Sequence, residues 1–419
     1  MWGDIAIAFL LAFIVSFMAT PWSIKWAYKI KAIDVPKDDR RMHKKTMPKF
    51  GGIAVIAGFL ISIIYLLFVM SIEGNIDLLN TDSYYKKLIG IFLGIIVITL
   101  TGTLDDIRTL KPYQKLFGQI VAAIIVVSFG VVIDEINIPL LNEIGLSSGL
   151  LKFITVVWIV GITNAINLMD GLDGLSSGIT LISCVSLLII FALNGSPIIA
   201  IVMIASLTGA LIGFLPFNFA PAKTYIGDTG SNFLGFMLAI ISILGVAKTY
   251  TLVVIVLPIL VLALPILDVI WAIFRRIKNG KSLKAIFSAD NGHVHHKLVR
   301  KGFSQKQAVL ILYGASAAIG MFAVILLDSG IWKAISFLLM VVAAVALGYK
   351  NFMDQKYEEN SENKYECTVC KYVYRPMYGN ERAGVHAGTS FADLPKDWTC
   401  PVCGEKKDVF QRYNEDKDT

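Results

Sequence analysis

Charged residues are scarce in this chain. Asp, Glu, Lys and Arg make up 16% of its 419 residues and hydrophobic residues 56%, against about 25% and about 45–50% in soluble domains. That shortage excludes an ordinary soluble enzyme, a disordered chain and a peripheral membrane protein. Cysteine is nearly missing from the first 366 residues, where Cys184 stands alone in an apolar run; a secreted disulfide scaffold is therefore excluded, and Cys184 reads as a packing residue. No basic residue precedes the first apolar run at Ile5 and no small-residue cleavage site follows it. The run is expected to be a retained anchor rather than a signal peptide.

What is present is a series of apolar runs, such as Ile89 to Leu104, Leu116 to Ile133 and Tyr250 to Phe274. Each is long enough to cross a hydrocarbon core of about 30 Å as a helix. The expected fold is an all-α polytopic membrane protein of about eleven transmembrane helices, centred near residues 12, 61, 96, 125, 160, 184, 207, 239, 262, 316 and 340. The expected organisation is a membrane domain over 1–349, a polar and acidic flexible linker over 350–363, and a small separate domain over 364–419. Residues 350–419 carry net charge −2 and the remainder +9.

Every second loop is basic. Loop 31–49 holds seven Lys and Arg and loop 275–306 holds nine, whereas 73–85 and 134–150 hold none. Positive loops stay inside, so the N-terminus is expected outside the cytoplasmic membrane, with the polar motifs and the tail in the cytoplasm.

Four motifs fall on that face. Asp105-Asp106 ends the third run, followed by Lys111 and Lys115; carboxylates at a membrane edge are costly unless they serve a function or meet cations. In Asn164-Ala165-Ile166-Asn167-Leu168-Met169-Asp170-Gly171-Leu172-Asp173-Gly174, the residues Asn164, Asn167 and Asp170 share one helix face before the glycines open the backbone. Oxygen ligands there suit a hard cation, or else cap a broken helix. Tyr225-Ile226-Gly227-Asp228-Thr229-Gly230-Ser231-Asn232 opens the eighth run, a helix start that favours an anion; Asp228 would repel phosphate without a divalent cation between them, so Mg²⁺, or Mn²⁺ in its place, is inferred. The last is Asp290-Asn291-Gly292-His293-Val294-His295-His296-Lys297. Among so many bases its histidines suit phosphate or sugar oxygens better than zinc.

Cys367-x-x-Cys370 and Cys400-x-x-Cys403, 29 residues apart, form a thiolate cage for iron or zinc. Such thiolates persist in a reducing compartment.

The order of these motifs closely resembles the polyprenyl-phosphate N-acetylhexosamine-1-phosphate transferases over residues 1–349. Asp34-Val35-Pro36, Arg41, His43 and Gly51-Gly52 resemble that family's first cytoplasmic loop, and the His-Val-His-His form is similar to its UDP-N-acetylglucosamine branch (WecA and TagO types). The resemblance implies that Asp105, Asp106, Lys115 and Asp228 are catalytic, with Asn167 and Asp228 holding Mg²⁺ on the diphosphate. It further implies that Lys111, Asn164, Asp170, Asp173, Tyr225, His293, His295 and His296 bind substrate, Tyr225 stacking on uracil and Asp173 bonding the base. The implied reactants are UDP-GlcNAc, or another UDP-N-acetylhexosamine, and undecaprenyl phosphate in the bilayer, with no nucleic acid and with room for a homodimer. Residues 364–412 resemble rubredoxin, with Tyr374, Phe391, Trp398 and Phe410 in order but Lys371 where that family has glycine; the resemblance implies that 364–419 is a small rubredoxin-like, metal-bound β domain. A transporter using edge carboxylates is the rival from another class; it expects acids at span centres and inverted repeats, whereas the motif carboxylates lie at one edge and no repeat is found. A membrane-anchored electron carrier would leave the loop motifs unexplained.

Overall fold

A computed structural model of the chain describes residues 2–35, 46–72, 82–133, 147–246, 252–280 and 292–413, the last stretch without 363, 377, 381–384, 386–388 and 396. Two compact units divide it, residues 1–335 and 336–419.

The first unit is helical because a backbone in hydrocarbon must satisfy its own polar groups. Its helices are α1 (Trp2–Ile30), α2 (Gly51–Ile72), α3 (Asp82–Arg108), α4 (Pro112–Ser128), α5 (Ser148–Leu168), α6 (Leu175–Leu193), α7 (Ile198–Asn218), α8 (Gly227–Val246), α9 (Leu252–Val261), α10 (Ala263–Gly280), α11 (Val294–Arg300) and α12 (Gln305–Ser329). Helix α13 (Ile331–Glu362) follows. Nine helices among the described residues are long and apolar enough to cross a membrane. The expected eleven spans differ from these nine in two places. Helix α4 has 17 residues, and the run around residue 262 is split into α9 and α10, with prolines at 258 and 265.

Helix α8 is the centre. Every residue from Thr229 to Gly245 is buried, the mark of a helix surrounded by other helices. Close approaches hold it there. A Cβ on Gly230 would collide with Gly52 of α2, and one on Gly102 of α3 would strike the backbone of Thr229. Helix α1 lies against α7 in the same manner: Ala8, Ala12 and Ser16 form its buried face, and Gly209 and Gly213 leave room for the carbonyls of Phe9 and Phe13. Small residues four apart let membrane helices pack this closely.

Two short strands, β1 (Ile33–Asp34) and β2 (Met47–Pro48), pair antiparallel before α2. Tyr225 N–H donates to the Pro48 carbonyl, and Gly51 and Gly52 N–H donate to those of Tyr225 and Ile226. The first loop is thereby tied to the start of α8. Arg41 and His43, part of the first-loop resemblance, lie outside the described residues.

The second unit begins within α13, whose helix runs on to Glu362 through the segment expected to be a flexible linker. Beyond it β3 (Tyr365–Cys367) lies between β4 (Val373–Tyr374) and β5 (Phe410–Arg412), antiparallel to both. Tyr374, Phe391, Leu394, Trp398 and Phe410 make its core. The ligand atoms of Cys367, Cys370, Cys400 and Cys403 lie within 4.8 Å of one another. Desolvation opposes ionisation of Cys367, yet backbone N–H groups of Cys370 and Val369, with the nearby sulfurs, bring its thiol down to about 7. Four cysteines gathered in this way fit iron or zinc.

Lys371 adopts φ 62°, the left-handed conformation that glycine supplies elsewhere. The turn survives without glycine: Lys371 N–H still donates to the Cys367 carbonyl. The cost falls on stability, since a left-handed L-residue is less favourable by about 1–2 kcal/mol. Lys371→Gly should therefore raise the denaturation midpoint of the metal-loaded full-length chain, followed by the absorption of the thiolate cage, by the equivalent of about 1 kcal/mol. Loss of the 3.7 Å pair between Lys371 and Glu366 is a minor offset, because surface pairs contribute little. An unchanged or lowered midpoint would show that the lysine is accommodated without strain.

Candidate active site

The site forms where α3 ends, α4 begins, α5 breaks and α8 starts. Gly227, at φ 71°, turns the chain into α8. A side chain there would meet the Lys49 carbonyl and both oxygens of Asp106. Asp106 Oδ1 accepts from Asp228 N–H at 2.8 Å; its Oδ2 accepts from Thr229 N–H at 2.8 Å and the Thr229 hydroxyl at 2.6 Å. Asp106 thus caps α8 from the end of a different helix, satisfying donors that a helix start leaves open and countering its positive dipole.

Asp228 occupies the first turn so fixed. Its Oδ1 accepts from Lys115 Nζ and, at 2.8 Å, from Asn167 Nδ2. Lys115 also reaches Asp105 Oδ2 at 3.1 Å, while Asp105 Oδ1 accepts Leu110 N–H at 2.7 Å. One ammonium bridges two carboxylates. The other oxygen of Asp228 receives no hydrogen bond among the described residues.

A second layer fixes these groups. Asn167 donates to Ser231 Oγ at 2.8 Å as well. Gln119 of α4 donates to Asn232 Oδ1 at 2.8 Å and accepts from Asn164 Nδ2 at 2.6 Å, and Asn232 returns to the Asp228 carbonyl at 2.6 Å. Asn164 therefore stands one step behind the cluster.

The broken helix after Leu168 carries Asp170 and Asp173. Burial pushes the Asp170 carboxyl up to about 7 despite the Ser176 hydroxyl that donates to it at 2.7 Å. Asp173 Oδ2 accepts Ala222 N–H at 3.0 Å. The Tyr313 hydroxyl of α12 donates to the carbonyl of Gly174, which is left-handed at φ 77°. Tyr225 is held by its backbone between Pro48 and Gly51. Lys111 is exposed at the start of α4, its ammonium 5.9 Å from the Tyr113 ring, and does not join the cluster.

The histidines reach the same loop. Val294, Leu298 and Val299 of α11 pack against the cluster of Met169, Leu172 and Leu175. This seats His295 on Gly171, where a Cβ would overlap the imidazole Nε2. His295 is 2% exposed, and neither ring nitrogen has a hydrogen-bond partner among the described residues. Burial and its neighbours His296 and His293 bring it down to about 4, so the ring is neutral near pH 7. Asp290 and Asn291 lie outside the described residues. Among the described residues the histidines form no cluster with metal-ligand spacing; only the four cysteines do.

Gly171→Ala should lower the melting temperature by the equivalent of about 1–3 kcal/mol, the usual cost of overpacking. Adding His295→Ala should remove most of that penalty. Additive losses in the double variant would mean that the two residues do not compete for space.

Sequence reasoning passed over Lys49, Gln119 and Asp268. Lys49 is close enough for its charge to act on both Asp170 and Asp228, but in sequence it is one of seven bases in its loop. Asp268 had a usable signal, being a lone acid inside the apolar run Tyr250 to Phe274, and such residues are functional by default.

The fold and the site together define a polytopic membrane protein whose carboxylates and lysine gather at one end of its central helix. Residues 88–246 match the family model described as glycosyl transferase family 4, and residues 364–410 match rubredoxin. A probable undecaprenyl-phosphate N-acetylglucosaminyl 1-phosphate transferase of Bacillus subtilis is 35% identical over 360 residues, covering 84% of this chain and 94% of its own length. A decaprenyl-phosphate N-acetylglucosaminephosphotransferase of Mycobacterium leprae is 31% identical over 334 residues, 74% of this chain and 80% of its own. A phospho-N-acetylmuramoyl-pentapeptide-transferase of Chlamydia trachomatis is 46% identical over 100 residues, 23% of this chain and 30% of its own. The chain belongs to glycosyl transferase family 4 and carries a rubredoxin domain behind its membrane helices.

Proposed function

We propose that the protein transfers GlcNAc-1-phosphate from UDP-GlcNAc to undecaprenyl phosphate, giving undecaprenyl-diphosphate-GlcNAc and UMP. A lipid phosphate oxygen forms a bond to the sugar-bearing phosphorus, the bond from that phosphorus to the bridging oxygen breaks, and the electron pair leaves with UMP. The observation that carries this reading is the Asp228, Lys115 and Asn167 cluster, capped by Asp106 at the end of a buried helix. Phosphoryl transfer rests chiefly on positioning and charge neutralisation, and this cluster supplies a fixed cation beside fixed acceptors. Lys115 meets phosphate charge, Asp105 holds Lys115 in place, and Asp106 fixes the start of α8.

The donor set fits Mg²⁺, which is held by one or two carboxylates plus substrate phosphates rather than by a protein cage. Asp228, with its uncommitted oxygen, and Asn167 would hold it. The ion would neutralise diphosphate charge. Asp170, Asp173, Tyr225 and the three histidines form the nucleotide-sugar side, with Asn164 one step behind the Asp228 cluster and Lys111 at the rim. The positive loops support a cytoplasmic site and tail with the N-terminus outside.

The test is incubation of purified protein with radiolabelled UDP-sugars and polyprenyl phosphate, with and without Mg²⁺. Lipid-linked label from UDP-GlcNAc, dependent on Mg²⁺, is expected. Label from another UDP-N-acetylhexosamine alone would change the sugar, and no lipid-linked label from any donor would overturn the reading.

A further inference from the structure

Asp268 stands in the apolar first half of α10 and is 4% exposed. Both its oxygens are engaged by the histidine motif. Oδ2 lies 2.7 Å from His293 Nδ1, and Oδ1 accepts Val294 N–H at 3.0 Å. His293 is equally buried, at 4%. A carboxylate only accepts, so the proton of this contact sits on Nδ1 and leaves Nε2 as the ring's other functional end. The next ring continues the arrangement: His293 and His295 are stacked at 5.7 Å with an interplanar angle of 8°, and His295 lies over Gly171 with neither nitrogen partnered among the described residues. His296 follows at 4.2 Å from His295.

This chain of contacts has a direction. Burying a carboxylate in an apolar helix is costly unless its oxygens are satisfied, and here both oxygens are satisfied by the one segment that also faces the Asp170 loop. Nothing else among the described residues hydrogen-bonds the His293 ring. We propose that Asp268 is a positioning residue for the nucleotide-sugar side of the site, holding His293 in its Nδ1–H tautomer and, through the stacked rings, seating His295 against Gly171. The inference rests on the proposed transferase reading, since it takes the histidines as contacts for sugar or phosphate oxygens. Asp268 itself touches no substrate. Its effect passes through His293.

Asp268→Asn keeps the shape but replaces one acceptor by an amide donor: with Val294 N–H on the remaining oxygen the amide faces Nδ1 and forces His293 into its Nε2–H tautomer, and in the opposite orientation the Val294 contact is lost. A misplaced contact group of about 1 Å can cost about 10²-fold. Accordingly kcat/KM for UDP-GlcNAc should fall by about 10²-fold, with KM for polyprenyl phosphate unchanged within about twofold and a melting temperature close to that of the native chain. The deciding measurement is a cycle with His293→Ala, because residues that act through one another are not additive. In the His293→Ala background, Asp268→Asn should cost less than about threefold more. Asp268→Glu, which restores both acceptors on a longer stem, should recover part of the loss.

Full additivity in the cycle, or an Asp268→Asn protein with native kinetics, would overturn the assignment while leaving the transferase reading intact. If Asp268→Asn does not fold, Asp268→Glu alone and in the His293→Ala background carries the same comparison, and additivity there overturns the assignment equally. Failure of the native protein to label lipid from any UDP-sugar would instead remove the transferase reading, and this inference with it.

Discussion

Asp228→Ala should abolish transfer, with a fall in kcat of at least about 10³-fold, the upper end of the loss seen when one preorganised group at a developing charge is removed. The expectation follows from what converges on that side chain. Its Oδ1 orients both Lys115 and Asn167, and its other oxygen is the one proposed to hold Mg²⁺. Without it Lys115 has only Asp105 to pair with, and the diphosphate meets the incoming lipid phosphate unshielded. The fold should survive, because Asp106 binds the backbone of residue 228 and the Thr229 side chain rather than the Asp228 carboxylate. The measurement is turnover across millimolar Mg²⁺, with melting temperature as the control for folding. Full activity at any Mg²⁺ concentration would remove Asp228 from the site.

The second large effect concerns Asp105 and Asp106, and it separates a positioning role from that of a general base. A phosphate monoester has its second pKa near 6, so at pH 7 about nine-tenths of the lipid phosphate is already ionised. Removing the last proton adds almost nothing. If deprotonation were the whole role, Asp105→Asn and Asp106→Asn would recover by pH 8. The structure gives both residues other work. Asp106 accepts three hydrogen bonds from the first turn of α8, and an Asn there would turn an amide donor toward backbone N–H groups. Asp105 accepts from Lys115 and Leu110. We therefore expect a loss of at least about 10²-fold in Asp106→Asn that persists at pH 8 to 9, with a smaller but equally pH-insensitive loss in Asp105→Asn. Recovery of both variants on raising the pH would restore the general-base assignment.

Much of this was open to reading in one dimension. Apolar runs of transmembrane length are a local property, and nine helices that satisfy it stand where the runs predict. The departures have local causes of a subtler kind: α4, at 17 residues, lies at the short end of what can span, and the run near residue 262 is broken beside prolines. The helix through residues 350–362 was not foreseen, because a polar, acidic composition separates solvated from buried chain more readily than helix from coil. The cysteine knuckles were legible, since metal-ligand spacing is itself local, and so was the departure at Lys371. Only the backbone angle shows how it is absorbed.

The sequence by itself determined the polytopic class, the family and the short strings that carry polar chemistry, because hydrocarbon thickness, helix periodicity and ligand spacing all act over a few residues to a few turns. Tertiary structure decided which members of those strings meet. Lys115 and Asp228 are 113 residues apart, Asp106 and Thr229 are separated by 123, and Gly171 and His295 meet only because α11 packs on Met169 and Leu172. No periodicity encodes such pairings; they arise where glycines let helices approach and where a buried carboxylate must find donors. That requirement made Asp106 a cap for the start of α8, and brought Asp268 to His293.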